Sequence, residues 1–151
     1  MISVKIKRLH SQAVFPQYQS LGAAGCDAVA CLPDPLKLST GERSAIPTGL
    51  SVEIPQGYEI QVRPRSGLAF KEGLTVINAP GTIDSDYRGE IKILVVNLGK
   101  GPVVIRHGDR IAQLVLQRVE QIRWEEVEEL GDSRRGAGGF GSTGLREGAP
   151  L

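Results

Sequence analysis

Apolar residues recur at every second position through much of this chain, and glycine or proline interrupts each run within a few residues. Ile2, Val4 and Ile6 alternate with Ser3, Lys5 and Lys7. Leu50, Val52 and Ile54 alternate with Ser51 and Glu53, and Tyr58, Ile60 and Val62 with Glu59, Gln61 and Arg63. A period of two turns one face of an extended segment to a core and the other to water, the pattern of a half-buried strand. Glu90–Leu98, Pro102–Arg106 and Arg110–Val119 are more apolar and read as deeper strands. The breaks between runs leave room for one short helix, Ser66–Glu72, between Pro64 and Gly73. Many short strands with turn signals predict an all-β sandwich or barrel.

The length of 151 residues suits one domain of ordinary size. Lys and Arg number 18 against 17 Asp and Glu, a net charge of +1. A general polyanion binder needs a basic excess, so no nucleic-acid partner is expected. No apolar stretch approaches the ~20 residues of a membrane-spanning helix, so no membrane partner is expected either. Met1–Pro16 lacks the apolar core of a signal peptide. The two cysteines, Cys26 and Cys31, form neither a Cys-x-x-Cys pair nor a disulfide framework. Reduced thiols in a cytoplasmic protein are the expectation.

Residues 1–130 are expected to form the β domain and residues 131–151 a flexible C-terminal arm. The arm has seven glycines, one aromatic residue and no apolar period. Such a segment loses much backbone entropy on ordering and has little apolar area to offset it. It nevertheless gathers Arg134, Arg135, Phe140, Ser142 and Thr143, side chains suited to a charged group, a flat ring and phosphate oxygens. The acidic run Glu120–Leu130 reads as solvated surface rather than as a metal site.

Four further stretches carry chemistry. In Ala24-Gly25-Cys26-Asp27 a carboxylate follows a glycine at a strand start. Pro64-Arg65-Ser66-Gly67 puts a guanidinium, a hydroxyl and main-chain N–H groups at the start of the short helix, which suits an anion. A plain Ser cap with a solvated Arg would look the same in isolation. Asn78-Ala79-Pro80-Gly81-Thr82-Ile83-Asp84-Ser85-Asp86-Tyr87-Arg88-Gly89 offers an amide able to read an amide-like base edge, and a carboxylate able to take a proton from water. A turn held by Asx hydrogen bonds is the plainer reading. Gly108-Asp109-Arg110-Ile111-Ala112-Gln113 reads as a turn opening a strand, with a polar Gln inside an apolar run.

Taken in this order and spacing, with Arg135-Gly136-Ala137-Gly138-Gly139-Phe140-Gly141-Ser142-Thr143-Gly144 as the fifth, these motifs resemble those of the trimeric dUTPase family across nearly the whole chain. The resemblance implies a jelly-roll-like β-barrel assembled as a homotrimer, with active sites at subunit interfaces and the arm closing over them. It implies dUTP as substrate, dUMP and pyrophosphate as products, and Mg2+ held by triphosphate oxygens and water. Asp84 matches the carboxylate that activates water. Tyr87 matches the ring against the deoxyribose, and Asn78 the reader of uracil, helped by Gly81, Thr82 and Ile83 of the same hairpin. Arg65, Ser66, Gly67 and Gln113 match phosphate-contacting positions. Asp27 matches an acid that supports the hydrated metal or its neighbours without ligating it directly. Arg135, Phe140, Gly141, Ser142 and Thr143 match the arm's motif, with Phe140 stacking on uracil.

Two other readings compete. A dCTP deaminase of the same fold would need a deaminating Glu in different hairpin chemistry. A non-enzymatic nucleotide binder would be expected to lack Asp84, Ser66 or the arm, and all are present.

Overall fold

The structure, a computed structural model, describes residues 1–139. The chain divides into two units, Met1–Glu120 and Gln121–Leu151. The first holds eleven strands: β1 (Lys5–Arg8), β2 (Cys26–Val29), β3 (Leu36–Leu38), β4 (Arg43–Pro47), β5 (Leu50–Glu53), β6 (Tyr58–Arg63), β7 (Leu74–Val76), β8 (Gly81–Ile83), β9 (Lys92–Asn97), β10 (Val103–Ile105) and β11 (Arg110–Arg118). One helix, α1 (Ser66–Glu72), falls between β6 and β7. The all-β, jelly-roll-like expectation holds, and the helix has the bounds expected from Pro64 and Gly73. None of the helices among the described residues is long and apolar enough to cross a membrane.

All strand pairs are antiparallel and fall into four small sheets. The largest runs β2-β11-β6-β8, another β4-β9-β7, and β1-β5 and β10-β3 form two-stranded pairs. Alternation explains which faces meet. In β6, Ile60 and Val62 are buried while Arg63 is exposed, and in β9, Ile93 and Val95 are buried while Lys92 and Leu94 are exposed. Ile46, Ile93, Ala30 and Ala112 have no exposed surface, so the core lies where these strands converge. The N-terminal alternation enters a ladder only at Lys5, which pairs with Glu53 at the end of β5.

Two devices fix the end of α1. Gly73 takes the left-handed conformation, φ 70°, and its N–H returns to the carbonyls of Ala69 and Leu68. A Cβ on Gly73 would strike the main chain of Gly99, and one on Gly99 would strike the carbonyl of Glu72. The helix end and the turn after β9 thus touch through two glycines. Asn97, fully buried, secures that turn. Its amide donates to the carbonyls of Leu38 and Gly101 at 2.9 Å, and its oxygen accepts from Gly99 N–H at 2.8 Å. Every polar atom of this buried side chain is therefore used.

Candidate active site

A cleft of about 300 Å3 opens beside the segment joining β7 to β8, and Asn78, Gly81, Thr82, Ile83, Asp84 and Tyr87 line it. The strands flanking the segment do not pair with each other. β7 pairs with β9 and β8 with β6, so the hairpin expected from the resemblance is instead a bridge between two sheets. The short connection holds a cis Ala79–Pro80 peptide. Asn78 lies over Gly81, where a Cβ would come within 3.1 Å of its amide nitrogen and 3.2 Å of Val62 Cβ. Glycine at this position lets the amide settle on the cleft floor.

Beyond β8 the chain turns. Tyr87 N–H donates to the Asp84 carbonyl at 3.2 Å, so Asp84 and Asp86 sit in a turn and not on one strand face. Arg88 clamps the same turn, donating to the carbonyls of Ser85 at 2.7 Å and Tyr87 at 3.0 Å. The Asp84 carboxylate is left exposed at the rim. The Tyr87 hydroxyl donates to the Glu90 carbonyl at 2.9 Å, crossing Gly89, where a Cβ would collide with it.

Glu90, Ile91, Lys92, Leu94 and Val62 complete the lining and were not singled out in the sequence. The signal was available: Glu90, Lys92 and Leu94 fall on alternate positions of an apolar run, on the face opposite buried Ile91 and Ile93.

A second group forms around Asp27, on β2. Its side chain is 3 % exposed, Arg65 Nε lies 3.2 Å from Oδ1, and Arg110 donates to Oδ2 at 3.3 Å. The Arg65 approach is an ion pair without hydrogen-bond alignment, so Oδ1 has no donor among the described residues. Arg65 instead donates to the Arg110 carbonyl at 2.8 Å. Half-buried Gln113 pairs in register with Asp27 on one side and Arg63 on the other. Arg65 caps α1 through its backbone alone, and Ser66 and Gly67 stand exposed in the first turn, so the simple Ser cap is not what the structure holds. None of Asp27, Arg65, Ser66, Gly67 and Gln113 lines that cleft.

Within the second unit, Arg135 Nε donates to the Gly138 carbonyl at 2.6 Å, and Gly136 N–H donates to Ser133 Oγ at 3.0 Å. Phe140, Gly141, Ser142 and Thr143 lie outside the described residues.

For a metal, no three His, Cys, Asp or Glu side chains converge among the described residues. Asp27 Oδ1 is a hard oxygen without a donor, but two guanidiniums flank it. That surrounding repels a directly bound cation and suits a carboxylate that accepts from a metal-bound water. This one oxygen would leave every direct ligand of a Mg2+ to come from a bound molecule and water, which is compatible with that ion's preference for keeping water.

Comparison with known proteins identifies the family. The dUTPase family profile matches residues 11–144. A deoxyuridine 5'-triphosphate nucleotidohydrolase of Bdellovibrio bacteriovorus is 62% identical over 144 residues, covering 95% of this chain and 97% of the relative. One of Desulfotalea psychrophila is 60% identical over 130 residues, covering 86% of this chain and 87% of the relative. Among solved structures, a mutant of the Staphylococcus bacteriophage 80alpha dUTPase, with dUpNHpp, superposes with a TM-score of 0.84 at 28% identity, over 95% of this chain and 99% of that one. A mutant dUTPase from phage phi11 of S. aureus, described with a structural Mg(II) ion, gives 0.75 at 25% identity, over 84% and 97%. With five motifs in order, an all-β fold and a family match spanning most of its length, the chain belongs to the dUTPase family.

Proposed function

We propose that this protein hydrolyses dUTP to dUMP and pyrophosphate, working as a homotrimer with Mg2+. The observation that carries the reading is the convergence of Asn78, Gly81, Asp84 and Tyr87 on one cleft. Asn78 presents one acceptor and two donors over the glycine floor, matching the amide-like edge of uracil. Tyr87, tethered at its hydroxyl, lies against the sugar and leaves no space for a 2′-hydroxyl. Asp84, exposed at the rim, orients a water and takes its proton as the water oxygen attacks the α-phosphorus. The bond from the α-phosphorus to the α,β-bridging oxygen breaks, and pyrophosphate leaves with that electron pair. When bound, Mg2+ supplies positive charge to the phosphate oxygens and leaving group.

Arg65, Ser66, Gly67 and Gln113 receive the phosphates, Ser66 near the α,β-bridge. Asp27 holds Arg65 in place and lends its spare oxygen to the hydrated metal. These residues do not line the cleft of their own protomer, which supports a site composed from neighbouring copies. Arg135 and the hydroxyls of Ser142 and Thr143 hold the outer phosphates, Gly141 belongs to the same substrate-binding motif, and Phe140 stacks on uracil. The arm, residues 131–151, then closes over the barrel of residues 1–130 and excludes bulk water. Such an enzyme lowers the dUTP available to polymerases and supplies dUMP for dTMP synthesis. The two free cysteines suit a reducing, cytoplasmic setting.

Incubation with each deoxynucleoside triphosphate and with UTP, in Mg2+, followed by product chromatography tests the reading. dUMP and pyrophosphate from dUTP are expected, with much lower efficiency on dCTP, dTTP and UTP. Orthophosphate as the sole inorganic product, or ammonia from dCTP, would overturn it.

A further inference from the structure

We propose that Glu90 is a positioning residue that sets how sharply the cleft distinguishes deoxyribose from ribose. The proposal rests on the dUTPase reading above and names a determinant of its sugar selectivity.

Steric exclusion works only if the excluding ring cannot swing aside. Tyr87 sits on a turn and is 45% exposed, so packing alone does not fix it. Its outer end is fixed by one hydrogen bond, from its hydroxyl to the Glu90 carbonyl at 2.9 Å. The ring is therefore held as firmly as residue 90 is held. Glu90 lies before β9, outside its ladder, so regular strand pairing does not anchor it.

Its side chain does. Glu90 Oε1 accepts from Gly49 N–H at 2.9 Å, and Lys92 Nζ stands 3.8 Å from Oε2. A hydrogen bond from a main-chain N–H to an ionised carboxylate belongs to the stronger class. Gly49 is a rigid donor. It has φ 68°, and a Cβ there would meet Ala13 Cβ at 2.9 Å, Cys31 Sγ at 3.1 Å and His10 Cβ at 3.1 Å. The neighbouring residues are tied in parallel: Thr48 Oγ1 donates to the Ile91 carbonyl at 2.7 Å, and Ile91 N–H donates to the Leu50 carbonyl at 2.8 Å. Residue 90 is thus bolted to the start of β5 by its carboxylate, while its carbonyl holds the tyrosine. Removing the carboxylate leaves Ile91 held but takes away the tie at residue 90 itself, so the Glu90 carbonyl can turn and the ring shifts with it.

The test is kcat/KM for dUTP and for UTP, with Mg2+, in the wild type, Glu90→Ala, Glu90→Gln and Tyr87→Phe. Glu90→Ala is expected to lower the dUTP-to-UTP ratio by about tenfold, chiefly through a gain on UTP. Glu90→Gln keeps an acceptor for Gly49 N–H and is expected to hold the ratio within about threefold of the wild type. A general folding defect would depress both substrates together, leaving the ratio intact, and that result overturns the proposal. Should Glu90→Ala fail to fold, Tyr87→Phe, which keeps the ring and loses the tether, must lower the ratio. An unchanged ratio there also overturns it. A wild type that makes no pyrophosphate from dUTP sinks the dUTPase reading itself. A selective wild type beside an equally selective Glu90→Ala sinks only the role of Glu90.

Discussion

Asp27 and Arg65 approach to 3.2 Å, with 3 % of the Asp27 side chain open to water against 28 % of Arg65. Arg110 meets the other carboxylate oxygen at 3.3 Å. One buried anion therefore organises two cations that reach solvent. Asp27→Asn removes their shared counter-charge, but both arginines can relax outward, which moderates the loss. A decrease of about 1–3 kcal/mol in unfolding free energy is expected from urea denaturation. In a cycle with Arg110→Ala the two changes should combine non-additively.

Asp84→Asn keeps the shape of the turn and removes the proton acceptor. Turnover of dUTP should fall by about 10²–10⁴. Affinity for a non-hydrolysable dUTP analogue, measured by calorimetry, should stay within a few-fold. Lost affinity with intact single-turnover chemistry would contradict the general-base role.

The contact between Gly73 and Gly99 leaves no space for a methyl group on either. Gly99→Ala must push the α1 terminus from the turn after β9 and strain the Asn97 network. A loss of about 1–3 kcal/mol is expected, seen as a lower Tm. Gly101→Ala, where an added Cβ meets nothing within 4 Å, is the matched control and should be near neutral.

Burial pushes the thiols of Cys26 and Cys31 above their ordinary value of 9.0, and nearby Asp27 and Glu90, respectively, add to the rise. The folded state thus holds these protons more tightly than the unfolded chain. That contribution to stability is complete below about pH 9 and disappears as pH climbs through the folded-state values. Tm should fall over this alkaline range, and less steeply in a variant carrying Cys26→Ala and Cys31→Ala. At neutral pH a thiol reagent should label the native protein far more slowly than the urea-unfolded one.

Truncation before Arg134 removes the arm motif and keeps every strand found among the described residues. Sedimentation should show the same assembly as the full chain, and thermal melting a cooperative unfolding like that of the full chain. dUTP turnover should drop severely. An unfolded product would give the arm a structural duty in place of a catalytic one.

Legibility varied with how local each determinant was. β6 and α1 have the bounds that alternation and punctuation suggest, because each is specified by its own residues. β4, of five residues, shows no clean alternation and was not read as a strand; nor were β3, β7 and β8, three residues each. They are too short to display a period, and partners distant in sequence stabilise them: β8 pairs with β6, β7 with β9 and β3 with β10. At the site, Asn78, Asp84 and Tyr87 stood out because their chemistry is concentrated in one stretch. Glu90 and Lys92 were hidden as ordinary strand charges, and the link from Arg110 to Asp27 exists only once β11 lies against β2. That the segment bridges two sheets in place of forming the expected hairpin turns on the pairing of its flanks, which no local signal carries.

That bridge gives the cleft walls of mixed parentage: Val62 and Gly81 come from one sheet, Lys92 and Leu94 from another. A molecule lodged between them acts as a rivet across a seam that side-chain packing otherwise holds. Occupancy should therefore suppress sliding of the sheets past one another. Its footprint in amide exchange should extend along β9 and β4, well past the atoms the guest touches.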